Sequence, residues 1–334
     1  MLISGRVLAG SLSQRVALAA ALWVAASLAL VAATFWWQAS QLDGLAQFEP
    51  VVLIPALGLA AVSFGLRTLR WHFFLRLVGA TPPLLTSFRT QLVGFSLTMT
   101  PGKVGELYKC YMMEQRTGVP AARMAPIVLF EKLMDAAAFA GLAVLSAAFL
   151  PSLGDSVSGA ARTLLVVIVI GLVIAFVARI VSARNLRRVL VPLARRGRLG
   201  ARLASTAELA LAGSADLLNA PALARNLVLS FVARTCDGLA VTWTAWALGI
   251  QIPLLGGVFA LNSSGTLGGL SMLPGGIGVV EASMSVILAG FGATRAAALA
   301  GTLIARFFTF WLWVAVGLFL LVRSGVLGGR ESDR

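Results

Sequence analysis

Charged side chains are scarce in this 334-residue sequence: they make up 12% of it, whereas 59% of the residues are hydrophobic. The mean hydropathy is +0.91, and ordinary soluble domains of this size do not have such a composition. Cysteine and histidine are also rare. Cys110 and Cys236 form no spaced motif and lie in or near apolar segments, so we expect buried thiols rather than a disulfide. The single histidine, His72, cannot build a histidine metal site, and the sequence predicts neither a metal nor a cofactor.

The charge that is present is mostly positive, with a formal net charge of +14. On a soluble protein this balance would suggest a nucleic-acid partner. Here the excess of Lys and Arg lies in loops between apolar segments, where basic residues orient membrane proteins and contact lipid headgroups. We therefore expect no nucleic-acid partner.

Apolar stretches of membrane-spanning length recur along the chain and predict an all-α polytopic membrane protein. The first, at about residues 16–37, is too long for a signal peptide and ends in a Trp pair, so we interpret it as an uncleaved span. Residues 201–219 predict an interfacial amphipathic helix. Further spans are predicted at about 51–66, 125–150, 164–180, 225–248 and 296–322, with broken pairs of shorter apolar segments at 84–113 and 254–291.

Loop charges predict the orientation of these spans. Residues 67–76 and 184–202 are rich in Arg, whereas residues 38–50 and 150–160 contain no Lys or Arg. The positive-inside rule then places both termini on the cytoplasmic side of the cytoplasmic membrane, with Arg295 as the one basic residue against the scheme. The first broken pair would be a re-entrant hairpin from the inside, and the second a hairpin from the outside.

Two stretches repeat one pattern 173 residues apart: Thr100–Glu106 and Leu273–Glu281 each contain Pro-Gly-x-(Val/Ile)-Gly and then an acidic residue. Lys132 likewise precedes Arg306 by 174 residues. Corresponding Gly/Pro breaks in two halves of a membrane protein are typical of transporters built from inverted repeats. We expect one transmembrane domain with inverted-topology repeats at 51–150 and 225–322, each with a re-entrant broken helix pair, joined by a connecting span and basic cytoplasmic loop at 161–202.

The two Pro-Gly turns are the first candidate binding residues. Glycine permits a sharp turn and a close backbone approach, and the helix that opens after the turn favours an anion at its N-terminus. A lipid phosphate is the candidate ligand, and the alternative is that the turns only pack half-helices together. The residues are Pro101, Gly102, Lys103, Gly105 and Glu106 in the first turn and Pro274, Gly275, Gly276, Gly278 and Glu281 in the second.

Charges inside apolar segments are the second group of candidates, because each costs roughly 2.5–3.5 kcal/mol near the bilayer centre. Glu131 and Asp135 share one helix face, with Lys132 three residues before Asp135. Together with Arg306, Glu131 and Asp135 are predicted to bind the substrate. The alternative is that such charges neutralise one another and only hold helices together.

Two Arg-containing groups need not be site residues. Arg234 and Asp237 are spaced as a pair, which suits mutual neutralisation as well as a functional role, and Arg67 and Arg70 are expected to snorkel to the membrane surface from a helix end. The sequence contains no Ser/His/Asp set, P-loop or dinucleotide fingerprint. These absences argue against an enzyme.

The ordered motifs resemble one known family, the flippase-like integral membrane proteins, which share the transmembrane half of bacterial lysylphosphatidylglycerol synthases. The resemblance covers roughly residues 15–325 and implies binding or movement of an amphipathic lipid such as aminoacylated phosphatidylglycerol, a hopanoid-like lipid or a polyprenyl-linked sugar. Aminoacyl-transferase activity is not expected, because the soluble catalytic domain of the synthases is missing. The motifs are Arg67-x-x-Arg70-Trp71, Pro101 to Glu106 (with Lys103 where some relatives have Arg), Glu131-Lys132-x-x-Asp135, Pro274 to Glu281, and Arg306.

Three functions follow from the residues and the resemblance together. The first is a lipid translocase that binds an anionic, phosphate-containing headgroup. The second is a membrane-embedded enzyme, or an accessory subunit acting with a lipid-modifying enzyme or a lipid-linked-sugar glycosyltransferase. The third is a scaffold for a partner enzyme.

Overall fold

A computed structural model describes residues 50–100, 105–150, 198–271 and 273–323 of the chain, and no strand occurs among them. The all-α prediction is therefore confirmed for this part of the chain. The predicted spans at 16–37 and 164–180, nearly all of the 161–202 connection, and Pro101, Gly102 and Lys103 lie outside the described residues.

The helices follow the predicted apolar segments closely. They are α1 (Ile54–Leu77), α2 (Leu84–Ser96), α3 (Tyr108–Thr117), α4 (Ala121–Ala148), α5 (Arg198–Leu217), α6 (Ala220–Ala247), α7 (Gly256–Leu270), α8 (Val279–Gly290), α9 (Arg295–Arg306) and α10 (Leu312–Arg323). A π-helical turn, Phe307–Trp311, joins α9 to α10 without a loop. Both predicted breaks occur: one between α2 and α3, the other between α7 and α8.

Among the described residues, two continuous helices are long and apolar enough to cross a membrane by length and composition: Val51–Leu77 and Arg295–Arg323. Helices α4 and α6 are as long, at 28 residues each, but carry charged side chains. The span predicted at 51–66 was too short, because α1 continues through Arg67 and Arg70 to Leu77. The predicted span ends at the first arginine, whereas in the structure both arginines are buried inside the protein.

Local sequence signals explain where the helices begin and end. Asn219 and Thr294 cap α6 and α9, accepting hydrogen bonds from the backbone N–H groups of Ala222 and Ala297 at 3.2 Å. Gly118 ends α3 in the left-handed conformation at φ 72°, which glycine adopts without a Cβ penalty.

Helix α1 packs extensively against α6. Helix α4 contacts α5, α6 and α7, α8 packs between α7 and α9, and α10 packs against α2. One apolar core lies around Trp71, Phe74 and Ile127, and a second joins α6, α7, α8 and α9. This arrangement leaves charged faces of α1, α4 and α6 pointing towards one another.

The two helix breaks touch each other in space. The last turn of α2 continues as a 3-10 turn at Leu97–Met99, which contacts the Pro274–Gly276 turn between α7 and α8. Met99 is buried there with Phe310 and Trp311 of the π-helical turn. The two halves of the chain are therefore joined where their helices are interrupted.

Candidate functional site

A cavity of about 570 Å³ lies between α1, α2, α4, α6, α7 and α9. Charged residues concentrate around it, although they are rare in the sequence as a whole. Six cations line it, namely Arg67, Arg70, Lys109, Lys132, Arg234 and Arg306, together with four carboxylates, namely Glu106, Glu131, Asp135 and Asp237.

Seven of these side chains form one alternating series, which we call the buried ion chain. It begins at Lys109, which contacts Glu131; Arg70 lies 3.7 Å from Glu131 and 2.7 Å from Asp135. Arg234 then bridges Asp135 at 3.1 Å and Asp237 at 3.4 Å, and Asp237 also contacts Arg67. The chain therefore runs across α3, α4, α1 and α6 and has a cation at each end.

The arginines of α1 are the clearest correction to the sequence interpretation. Arg67 and Arg70 do not snorkel, since they are only 4% and 2% exposed. Arg70 also donates to the Ser230 hydroxyl at 2.6 Å, and Arg67 to the Ser63 hydroxyl at 3.2 Å. Carboxylates on α4 and α6 replace the water that a snorkelling arginine would seek, so both can remain in the interior.

The prediction for Arg234 and Asp237 holds only in part. The two form an ion pair, as their spacing predicts, but each also has a partner on another helix: Asp135 for Arg234 and Arg67 for Asp237. The guanidinium of Arg234 lies over the Phe139 ring at 4.1 Å. Both residues also line the cavity, which the sequence analysis did not expect.

A second group of contacts surrounds the break between α7 and α8. The Nε atom of Arg306 donates to Glu281 at 2.8 Å, and its NH2 group donates to the carbonyl of Gly275 at 3.2 Å. The other oxygen of Glu281 accepts a hydrogen bond from the N–H of Gly278 at 2.8 Å. Arg306 and Glu281 thus fasten the turn to α9.

The glycines of this turn are required by its backbone. Gly275, Gly276 and Gly278 have φ angles of 62°, 68° and 81°, a region that residues with a side chain rarely adopt. The expected anion site at the start of α8 is only partly realised, since the Glu281 carboxylate already caps the Gly278 N–H. A lipid phosphate at this place would compete with a carboxylate of the protein itself.

The first break has a matching ion pair. Lys132 lies 2.6 Å from Glu106, and Glu106 also accepts a hydrogen bond from the Thr98 hydroxyl at 2.9 Å. Lys132 was expected to face Asp135, its neighbour along the helix, but the observed partner is across the break. Gly105 allows the backbone after the break to pass close to Thr100, because a Cβ at position 105 would lie only 2.7 Å from the Thr100 hydroxyl.

One wall of the cavity is apolar and built by α4 and α7. Phe139 packs so closely on Gly265 that a Cβ there would lie 2.3 Å from the ring. Further along α7, Gly269 and Leu270 also line the cavity, with open space where a Cβ of Gly269 would stand. Leu270 is 72% exposed. The site therefore combines buried charge with an apolar surface, as an amphipathic ligand requires.

The interior keeps polar atoms without hydrogen-bond partners. In the described part of the chain four of them belong to cavity-lining residues, namely the Nε atoms of Arg67, Arg70 and Arg234 and one oxygen of Glu131, and the others lie elsewhere. Buried polar groups are usually paired, so the ion contacts around the cavity leave part of its buried charge without a hydrogen bond. Within the same residues no three His, Cys, Asp or Glu side chains are placed to hold a metal ion.

The structure brings most of the predicted site residues together. Glu106, Glu131, Asp135, Gly275, Gly276 and Arg306 line the cavity, and Glu281 contacts Arg306. Gly105, Pro274 and Gly278 shape the turns beside it.

Some cavity residues could not be recognised from the sequence. Lys109 and Arg234 were not expected to line the cavity, and Arg67 and Arg70 were not expected to lie in the interior. The signal for the last two was the apolar sequence that continues past them to Leu77.

Comparison with known proteins identifies the family. Residues 24–317 match the family described as the lysylphosphatidylglycerol synthase TM region. A UPF0104 membrane protein from Methanothermobacter thermautotrophicus is 25% identical over 293 residues, which cover 83% of this chain and 86% of that protein. A second, from Methanocaldococcus jannaschii, is 23% identical over 245 residues, or 72% of this chain and 99% of that one. The chain belongs to the lysylphosphatidylglycerol synthase TM region family and is a membrane protein.

Proposed function

We propose that this membrane protein is a lipid translocase that takes the phosphate-containing headgroup of an amphipathic lipid into its cavity and moves it across the cytoplasmic membrane. The observation that carries the proposal is the cavity itself. It places six cations and four carboxylates beside an apolar wall, in a chain with few charges elsewhere. Charges inside a membrane protein are expensive and mark substrate pathways by default.

Similar contacts in the two halves support the proposed repeats. Glu106 pairs with Lys132, 26 residues later, and Glu281 pairs with Arg306, 25 residues later. In each case a carboxylate at a helix break is held by a cation of the following long helix. The helices carrying the two cations begin at Ala121 and Arg295, 174 positions apart.

Packing between the halves follows the same correspondence. Helix α4 packs against α7, and α10, which occupies the matching part of the second half, packs against α2. The ends of α1 and α6 also match, since Gly79 and Gly249 have φ angles of 86° and 73° and both follow the last turn. These pairs favour duplicated units that exchange contacts, as in transporters built from repeats.

The opposite orientation of the two units is part of the proposal. Loop charges place both termini in the cytoplasm and make each broken pair re-entrant, one from each side of the membrane. The contact between the Leu97–Met99 and Pro274–Gly276 turns suits this arrangement, because two such hairpins would meet inside the bilayer. Non-helical backbone at that depth needs protein or a water-filled cavity around it.

The charges suit transport better than catalysis. Each carboxylate that lines the cavity contacts a cation, whereas a general acid or base must be able to gain or lose its proton during turnover. We therefore propose that the protein is not itself an enzyme. The accessory-subunit alternative makes a different prediction, namely a product that appears only when a partner enzyme is added.

Translocation in liposomes tests the proposal. The purified chain would be reconstituted with fluorescent lipids whose label a membrane-impermeant reductant destroys only in the outer leaflet. The panel would contain a phosphodiester, a phosphomonoester, a zwitterionic and an uncharged lipid. We expect the protected inner-leaflet fraction of at least one phosphate-bearing anionic lipid to fall faster than in empty liposomes.

A plugged variant shows whether the cavity is the route. Gly269 lines the cavity and has open space at its Cβ position, so we expect the large ring of Gly269→Trp to obstruct the cavity and abolish the accelerated loss of signal. Gly58→Trp is the matched control, because Gly58 also has open space at its Cβ but does not line the cavity. If no lipid of the panel moves faster than in empty liposomes, the translocase proposal is wrong.

A further inference from the structure

The buried ion chain has one more positive than negative charge. Among the described residues it contains four cations and three carboxylates. The two remaining pairs of the site, Lys132 with Glu106 and Arg306 with Glu281, are balanced. A net charge in the interior of a membrane protein is unfavourable unless something neutralises it.

The surplus positive charge of the ion chain is best assigned to Arg234. Both of its carboxylate partners have a closer cation: Arg70 lies 2.7 Å from Asp135, against 3.1 Å for Arg234. At Asp237, the contact of Arg67 is likewise closer than the 3.4 Å contact of Arg234. Arg234 therefore holds only shares of carboxylates that other arginines already neutralise.

Among the four cations of the buried ion chain, Arg234 is the one most accessible from the cavity. Its side chain is 12% exposed, compared with 5% for Arg67, 2% for Arg70 and 3% for Lys109. It lines the cavity, and its Nε atom has no hydrogen-bond partner. The Phe139 ring supports the guanidinium from one face, and the two terminal nitrogens, which contact Asp237 and Asp135, each carry a second N–H group for a ligand.

We propose that Arg234 binds the phosphate of the lipid headgroup, and that one surplus charge selects a headgroup with a single negative charge, a phosphodiester. The inference rests on the proposed function and names a residue and a substrate class for that site. A phosphodiester oxygen pair matches the guanidinium fork and neutralises the ion chain. A phosphomonoester, with close to two negative charges, would leave the site over-neutralised.

Equilibrium binding to the full-length protein in an uncharged detergent tests this. Three kinds of short-chain diacyl lipid would be titrated: an anionic phosphodiester without a cationic group, a phosphomonoester, and a zwitterionic lipid. Native mass spectrometry would count the lipid molecules bound to each protein. Glycerophosphodiester and inorganic phosphate, both without acyl chains, show whether a soluble anion suffices. We expect the wild type to bind the phosphodiester lipid more tightly than the other two lipids and either soluble anion.

The variants separate charge from geometry. Arg234→Gln leaves three cations and three carboxylates, so the ion chain loses its surplus charge and becomes balanced, and we expect phosphodiester affinity to fall about tenfold or more. Arg234→Lys keeps the charge without the planar fork and should lose less. Arg123→Gln removes a cation from a half-exposed pair with Asp216 outside the cavity and should bind like the wild type.

Asp237→Asn provides a readout that a merely structural arginine would not move. It raises the surplus of the ion chain by one charge, so we expect the preference to shift from the phosphodiester towards the phosphomonoester. If the wild type binds the phosphodiester and Arg234→Gln binds it equally well, this inference is wrong and the proposed function stands. If the wild type binds no anionic lipid better than the zwitterionic one, both are wrong.

Discussion

Arg306 holds Glu281 and the carbonyl of Gly275 at the same time, at 2.8 Å and 3.2 Å. One side chain thereby holds the middle of the turn that separates α7 from α8 and the first turn of α8. Because Glu281 also caps the Gly278 N–H, a headgroup that draws Arg306 away would loosen the turn. In the proposed translocase, this contact would link headgroup binding to the conformation of the helix break.

We expect Arg306→Gln to destabilise the protein by about 3–5 kcal/mol, because it leaves the Glu281 carboxylate buried and unpaired. Adding Glu281→Gln to the same chain should recover much of the loss, since no unpaired charge remains. Thermal unfolding of the detergent-solubilised variants measures both effects. Arg123→Gln, in a half-exposed pair, should change the stability by no more than about 1 kcal/mol. Equal unfolding temperatures for Arg306→Gln and this control would contradict the role of the contact.

Lys132→Gln should have a smaller effect than Arg306→Gln, although each cation pairs with a carboxylate beside a helix break. The Lys132 side chain is 36% exposed, whereas that of Arg306 is 7% exposed. Each carboxylate keeps one hydrogen bond when its cation is lost, Glu106 from the Thr98 hydroxyl and Glu281 from the Gly278 N–H, so the expected difference comes from the exposure of the cations. The same unfolding measurement ranks the two variants. A loss of stability for Lys132→Gln as large as that for Arg306→Gln would show that the exposed lysine is as important as the buried arginine.

Asp135→Asn should be among the most damaging single changes in the ion chain. Asp135 lies between Arg70 and Arg234, so its removal leaves two guanidinium groups facing each other without their shared carboxylate. We expect a loss of about 3–5 kcal/mol in stability. Asp216→Asn, which removes the partner of half-exposed Arg123, is the control. Wild-type stability of Asp135→Asn would mean that another group neutralises both arginines.

Gly275→Ala tests the helix break itself. The positive φ of Gly275 disfavours any side chain, and a Cβ there would lie 2.8 Å from the Met99 sulfur and 2.9 Å from the Phe310 ring. We expect reduced stability and a changed environment for the neighbouring Trp311, visible in its fluorescence. Gly58→Ala, in an open position within α1, should be silent. If both alanine variants behave alike, the contact between the two breaks is not a constraint on the fold.

Much of the helical architecture could be predicted from the sequence. Apolar length indicated α1, α4, α6 and the final helix pair, and the Pro-Gly motifs marked both breaks. These signals are local, because hydrophobic periodicity and turn residues act within a few positions of the chain. The C-terminal end of α1 could not be predicted for the same reason: its arginines resemble a helix end until their partners on other helices are known.

The pairing of the buried charges could not be predicted. Lys132 contacts Glu106 across the break rather than its helical neighbour Asp135, and Lys109 contacts Glu131 of another helix. Spacing along one helix indicates which side chains share a face, but not which face of another helix lies opposite. Arg234 therefore resembled a local structural pair with Asp237 until Arg67 and Asp135 were seen beside it.

The most direct test of the central claim is to identify the lipid that occupies the cavity. Wild-type protein, Gly269→Trp and the control Gly58→Trp would be purified from their native membrane, and their bound lipids identified by native mass spectrometry. We predict a specific phosphate-bearing anionic lipid on the wild type and the control that is absent from Gly269→Trp. The same bulk lipids on all three proteins, in the proportions of the membrane, would contradict the claim that the cavity holds a headgroup.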